Sequence, residues 1–220
     1  MDNLAGDRAR VLLLAGPSGS GKSTLARHSN MPMLELDHFY RDGDEPGMPR
    51  SEEIGLIDWD DPASWRADLA LAALIELCTT GTANVPVYSI SADRRSGTRS
   101  FDLGPTTRFV AEGVFAPHLV EPAKRAGILA DAIVVERAAW KNHARRLRRD
   151  VTEGRKPPLT VLSRSRMLMR RERAVVDQAR TLGCRPLDAS ATARVLRRAF
   201  THGRGEYERL RVARGWPAAS

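Results

Sequence analysis

The sequence predicts an α/β fold with a mostly parallel sheet, and three observations carry that reading. Short apolar runs recur along the chain, amphipathic stretches separate them, and the first run passes through glycines directly into a helical pattern. Strands are expected at 10–15, 33–37, 84–88, 107–112, 131–136 and 184–188. Helices are expected at 22–28, 64–78, 117–127, 139–153, 159–182 and 192–202. Val11–Leu14 has the length and continuous apolarity of a strand buried on both faces. "KSTLARH" starts the first helix. In "DDPASW", Asp61 is placed to cap a helix whose first position is Pro62. Gly154, Pro157 and Pro158 in "TEGRKPP" end another. The acidic, proline-containing stretch 41–57 reads as a mobile loop. In a parallel sheet, ligands gather at the C-terminal strand ends. Asp37, Tyr88 and Glu112 are therefore expected around one crevice.

At 220 residues, 42% hydrophobic and 28% charged, the chain reads as one globular domain able to bury a sizeable core. No apolar run approaches the ~20 residues that span a bilayer. Cys78 and Cys184 stand far apart, with no C-x-x-C, so neither a zinc site nor a disulfide framework is indicated. A cytoplasmic protein with no membrane partner is expected. The formal charge of +8 comes largely from "RRLRRD" and "SRSRMLMRRER". Those runs admit a solvated helix face or arginines that close over a polyphosphate. They lack the aromatic interleaving that single-stranded nucleic acid binding uses, so no nucleic acid partner is expected.

The segment "GPSGSGKS", Gly16 to Ser23, carries the most specific chemistry. A strand that turns through glycines into a helix presents unpaired backbone N–H groups to one point, and phosphate fits there. Glycine is required where the loop bends or approaches a ligand too closely for a Cβ. This is the Walker A pattern of the P-loop NTPase fold. It implies phosphate binding by Gly16, Ser18, Gly19, Ser20, Gly21, Lys22, Ser23 and Thr24, with Lys22 on the β- and γ-phosphates and Ser23 on Mg²⁺. ATP and Mg²⁺ are the expected cofactors. Asp37 in "LELDHFYRD" reads as a general base or magnesium neighbour, with a turn cap as the alternative. Glu112 in "FVAEG" reads as a magnesium-sphere acid, because a buried carboxylate needs a cation or a donor. His38, Trp59 and Trp65 read as packing residues.

Several ordered motifs, "GPSGSGKST", "LDHFYRD", "DWDDPASW", "VPVY", "FVAEGVFA" and "RRLRRDVTEGR", give the chain a resemblance to the uridine kinase-like P-loop kinases from about residue 10 to 156. The resemblance implies an ATP-dependent phosphotransferase acting on an alcohol of a nucleoside or related small molecule. It makes Asp37 the general base, with Glu112 and Ser23 in the magnesium sphere. It puts Asp60 and Arg146 on the acceptor's hydroxyls, and Tyr40 and Tyr88 around its ring, although Tyr88 equally suits a cross-strand core aromatic. Arg149 and Arg155 fall in an Arg-rich helical lid at about 141–158, Arg149 facing the transferring phosphate. Stretches 38–62 and 86–104 become the substrate-side loop and hairpin.

Two departures bear on the acceptor. Where the family's pyrimidine readers carry a histidine, this chain has Asp93 in "SISADRRSG", and a carboxylate accepts where a histidine can donate. Uridine is therefore expected to be a poor acceptor and cytidine a less poor one; alternatively, Asp93 pairs with a neighbouring arginine and reads nothing. "EGRK" is also one residue shorter than the family's lid motif. The competing reading is an ATP-binding regulatory protein without acceptor phosphorylation. A nucleic-acid-dependent NTPase comes third.

Overall fold

The computed structural model describes residues 8–17, 19–51, 55–136 and 173–214. Five strands form one parallel sheet in the order β2-β5-β1-β6-β7. They are β1 (Arg10–Ala15), β2 (Met33–Glu35), β5 (Arg108–Glu112), β6 (Leu129–Val135) and β7 (Arg185–Leu187). The central strand explains the apolar run. Val11, Leu13 and Ala15 pack into one cluster with Leu34, Leu74, Phe109 and Val134. Leu12 and Leu14 point the other way, onto Ala26, Val110, Ile133 and Leu196. With both faces covered, alternation gives way to continuous apolarity.

Helix α2 (Ala67–Thr80) and short α3 (Val120–Arg125) cover the first face. Val176 and Ala179, in a helix α4 described over 173–181, join the same cluster. Helix α1 (Lys22–Arg27) and the long α5 (Ala189–Arg214) supply Ala26 and Leu196 to the second face. Asp61 caps as expected, accepting the Ala63 N–H at 2.8 Å with Pro62 following, but it starts only a 3₁₀ turn (Pro62–Ser64). The α-helix begins three residues later, at Ala67.

The expected strand at 84–88 forms as β3 (Thr82–Ser89) but stands outside the parallel sheet. It pairs antiparallel with β4 (Arg94–Asp102) in a separate two-stranded hairpin, Val85 opposite Arg99. Its composition contains the reason. Pro86 has no N–H for a central ladder, and Ala83, Val85 and Tyr88 turn inward while Thr82 and Asn84 are exposed, the mark of a strand buried on one side. Tyr88 is thus not at a C-terminal end of the parallel sheet. The expected strand at 33–37 also ends early, and a 3₁₀ turn, Leu36–Phe39, carries Asp37.

Helix α5 runs well past the expected end at 202 and through Gly203 and Gly205. Gly203 is there for packing: a Cβ would lie 2.7 Å from Thr106 Oγ1 and 2.9 Å from Arg108 Cβ. Beside it, Glu206 accepts from the Thr107 hydroxyl (2.6 Å) and pairs with Arg108 (2.8 Å), fixing the helix to the start of β5.

Candidate phosphate and acceptor site

The parallel register aligns the site. Leu14 lies opposite both Glu112 on β5 and Ile133 on β6, and Glu35 lies opposite Glu112, so the ends of β1, β2 and β5 are level. The chain leaves β1 through Gly16 (φ 148°) and Gly19 and enters α1 from Gly21 (φ 90°), which no side chain caps. A Cβ on Gly16 would come 2.9 Å from Ser20 Oγ and 3.1 Å from the Val135 carbonyl. Ser20 is fully buried, and its hydroxyl has no hydrogen-bond partner among the described residues. Lys22 Nζ folds back over the loop, donating to the Gly16 carbonyl at 2.9 Å and the Pro17 carbonyl at 3.4 Å. A glycine cradle with an unsatisfied buried hydroxyl and an ammonium parked on its own carbonyls fits phosphate oxygens.

The acidic half of the site meets this loop. Glu112, only 8% exposed, accepts the Ser23 hydroxyl at 2.7 Å. Burial pushes the Glu112 carboxyl up, while the Ser23 bond and the Lys22 charge pull it down. Asp37 is open to solvent through the cavity, yet desolvation by surrounding protein still raises it against the pull of Lys22. Desolvation in turn lowers Lys22, with Glu112 and Asp37 opposing. The three groups form one coupled set. Gly113 allows the approach: a Cβ there would sit 2.9 Å from Leu36 Cβ and 3.2 Å from Asp37 Oδ1. Among the described residues no group of three or more His, Cys, Asp or Glu side chains could hold a metal. The oxygen set of Ser23, Glu112 and Asp37 suits Mg²⁺, which binds through one or two carboxylates and takes its other ligands from phosphates and water.

This is a P-loop NTPase fold. No protein-family model matches the sequence, and no curated protein matches it. Solved structures with a similar fold include a possible uridine kinase from Bacillus stearothermophilus (TM-score 0.42, 19% identity, 61% of this chain and 74% of that one). A candidate fructose transport system kinase from Silicibacter sp. TM1040 is similar over 87% of this chain and 86% of its own (TM-score 0.48, 17% identity). The YGR205w protein is similar over 83% and 86% (TM-score 0.45, 14% identity). At this distance the likeness concerns the fold alone.

A cavity of about 720 Å³ opens from the phosphate loop. Lys22, Ser23, Asp37 and Glu112 line it together with Asp58, Asp60, Phe115 and His118. Gln178 of α4 also lines it. Asp58, His118 and Gln178 were not singled out from the sequence. Asp58 has a local signal, since its Oδ1 accepts the Asp60 N–H at 3.0 Å in an Asp-x-Asp turn. The other two come from distant elements and carry none. Burial lowers the His118 imidazole.

Tyr40 and Tyr88 are not among the residues that line this cavity. Their rings are 5.9 Å apart and each stacks edge-on against Trp59, at 5.5 Å and 6.3 Å. Tyr40 donates to the Trp59 carbonyl (3.3 Å), and Tyr88 donates to the Arg41 carbonyl (3.1 Å). Desolvation pushes the Tyr88 phenol up to about 12. Asp93 sits exposed at the hairpin turn with φ 49°, its carbonyl accepting the Gly43 N–H at 2.7 Å, and it does not line the cavity. Where the sequence suggested a mobile loop, Arg41 bonds Glu45 (3.1 Å) and the Pro46 carbonyl (2.8 Å), and Arg66 pairs with Glu45 at 2.8 Å. Ser18, Arg146, Arg149 and Arg155 lie outside the described residues. No helix among the described residues is long and apolar enough to cross a membrane.

Proposed function

We propose that this protein is a small-molecule kinase that transfers the γ-phosphate of Mg·ATP to an acceptor alcohol. One observation carries the reading. One cavity is lined both by Lys22 and Ser23 of the phosphate loop and by Asp37, Asp58 and Asp60. A passive nucleotide binder has no use for a carboxylate such as Asp37 held in the same cavity as the phosphate loop.

In this reading the Gly16–Thr24 backbone holds the phosphates, and the Lys22 ammonium leaves the loop carbonyls to meet them. Ser23, Glu112 and Asp37 would hold Mg²⁺, which when bound neutralises phosphate charge during transfer. Asp37 takes the proton from the acceptor hydroxyl as its oxygen attacks the γ-phosphorus, and ADP leaves. Asp60 and Asp58 accept hydrogen bonds from further acceptor hydroxyls. Arg149 supplies positive charge opposite the transferring group, while Arg146 meets the acceptor's hydroxyls and Arg155 serves the substrate from the same lid. The family resemblance supports the ordering of these roles.

The test is ATP turnover with a panel of nucleosides, sugars and vitamin-like alcohols, scoring a phosphomonoester by mass. A product that appears with wild type and vanishes in Asp37→Asn, with ATP affinity kept within a few-fold, is the expected result. ATP binding with no product from any acceptor in a broad metabolite extract would favour a nucleotide-binding regulatory protein.

A further inference from the structure

His38, next to the candidate base, lies between two parts of the molecule that the sheet does not connect. The 3₁₀ turn Leu36–Phe39 belongs to the parallel-sheet body, through β2. The β3–β4 hairpin forms a sheet of its own. The Tyr88 backbone N–H donates to His38 Nδ1 at 3.1 Å, 50 residues away in sequence. This bond falls where the β3–β4 register shifts, between Val87 and Tyr88. At such an irregularity a strand N–H loses its regular cross-strand acceptor, and the imidazole supplies one.

The bond also fixes the ring's chemistry. A nitrogen that accepts an N–H carries no proton, so the neutral imidazole keeps its hydrogen on Nε2. Nε2 lies 3.4 Å from Glu35 Oε2, on the last residue of β2. The ring thus spans Glu35, one residue before the turn, and Tyr88 on the hairpin, and the side chain is only 22% exposed. Tyr88 in turn holds the Arg41 carbonyl and stacks on Tyr40 and Trp59, the residue between Asp58 and Asp60.

We propose that His38 is a positioning residue: its Nδ1 latches the hairpin to the turn that presents Asp37 and so keeps the acceptor side of the cavity in register with the base. Its functional half rests on the kinase reading above; its structural half does not.

The side-chain geometry gives a discriminating set of variants. Asn places its Oδ1 near the position of His Nδ1 and can accept the Tyr88 N–H. Gln reaches toward Nε2 and cannot accept that N–H in the same place. Ala does neither. Nitrogen NMR of the His38 ring in the full chain should show the Nε2–H tautomer. Amide hydrogen exchange at Tyr88 should accelerate about three- to tenfold or more in His38→Ala and His38→Gln, the scale of one net hydrogen bond, and stay near wild type in His38→Asn. With whichever panel acceptor turns over, KM for the acceptor should rise by a similar factor in Ala and Gln. The KM for ATP should hold, and Asn should restore the acceptor KM. An Nδ1–H tautomer, or Tyr88 exchange as fast in Asn as in Gln, overturns the latch even if Ala fails to fold. If the exchange pattern holds but the acceptor KM does not follow it, the positioning role is refuted and a purely structural bond remains. If no acceptor turns over, the kinase reading fails, and exchange and tautomer still decide the latch.

Discussion

Replacing Gly113 with alanine is expected to disturb Asp37 through a single methyl group. The new Cβ would lie 2.9 Å from Leu36 Cβ and 3.2 Å from Asp37 Oδ1. Carbon atoms pack at about 3.5–4.0 Å, so the Leu36–Asp37 turn must retreat by roughly 0.6–1 Å. The Leu36 contact cannot yield cheaply. Leu36 is 1% exposed in the core, and its carbonyl accepts the Trp65 indole N–H at 2.8 Å. Overpacking of this kind costs about 1–3 kcal/mol. At about 2–4 °C per kcal/mol for a chain of this size, the melting temperature should fall by about 2–12 °C. Because the strain pushes on the turn that carries Asp37, the proposed base, turnover should fall further than stability explains. A displacement near 1 Å costs on the order of 100-fold. Gly97→Ala in β4 is the control, since a Cβ there meets nothing within 4 Å and it should change stability by no more than about 0.5 kcal/mol. Calorimetry and acceptor phosphorylation measured on both variants decide. A Gly113→Ala protein that melts with wild type refutes the packing argument. One that melts lower but turns over at the wild-type rate refutes the link to Asp37.

Lys22→Ala should nearly abolish transfer while preserving the circular dichroism spectrum, because the ammonium already lies within 3.4 Å of two loop carbonyls and contributes no core packing; near-normal turnover would remove the phosphate role. Asp37→Asn should lose on the order of 10²–10⁴ in phosphorylation rate, read by single-turnover kinetics, with nucleotide affinity retained. Glu206 gives a pH signature away from the site. Burial opposes its ionisation, but the Thr107 hydroxyl and the Arg108 and His202 charges prevail and hold it below its usual range. A carboxyl depressed in the folded state adds stability above its unfolded pKa, near 4.3, and that stability is lost as pH falls through the folded value. The melting-temperature gap between wild type and Glu206→Gln should therefore be widest at neutral pH and close below about pH 4; a gap independent of pH would contradict the pairing.

The sequence by itself determined the parts of this protein whose physics is local. The β1–loop–α1 unit is encoded within a few residues, because glycine torsions, backbone donors and one lysine suffice to build it. The Asp61 cap forms where it was expected for the same reason, and β1 runs Arg10–Ala15 as read from its apolar run. Glu112 was legible because a carboxylate closing a strand buried on both faces must meet a cation or a donor to offset its desolvation. Tertiary structure decided the rest. Whether the strand at Thr82–Ser89 joins the parallel sheet or leaves it depends on its partner, β4, which meets it from Ser89 opposite Arg94 to Thr82 opposite Asp102. The alternation and Pro86 pointed to the answer, but only pairing with β4 fixed it. The helix expected over 192–202 runs on through Gly203, whose reason for being glycine lies in Thr106 and Arg108, nearly 100 residues earlier. His118 and Gln178 reach the cavity from different elements. His38 could not be told from a packing histidine until Tyr88 was brought to its ring. Such roles arise from long-range contacts, and a residue's neighbours in sequence carry no record of them.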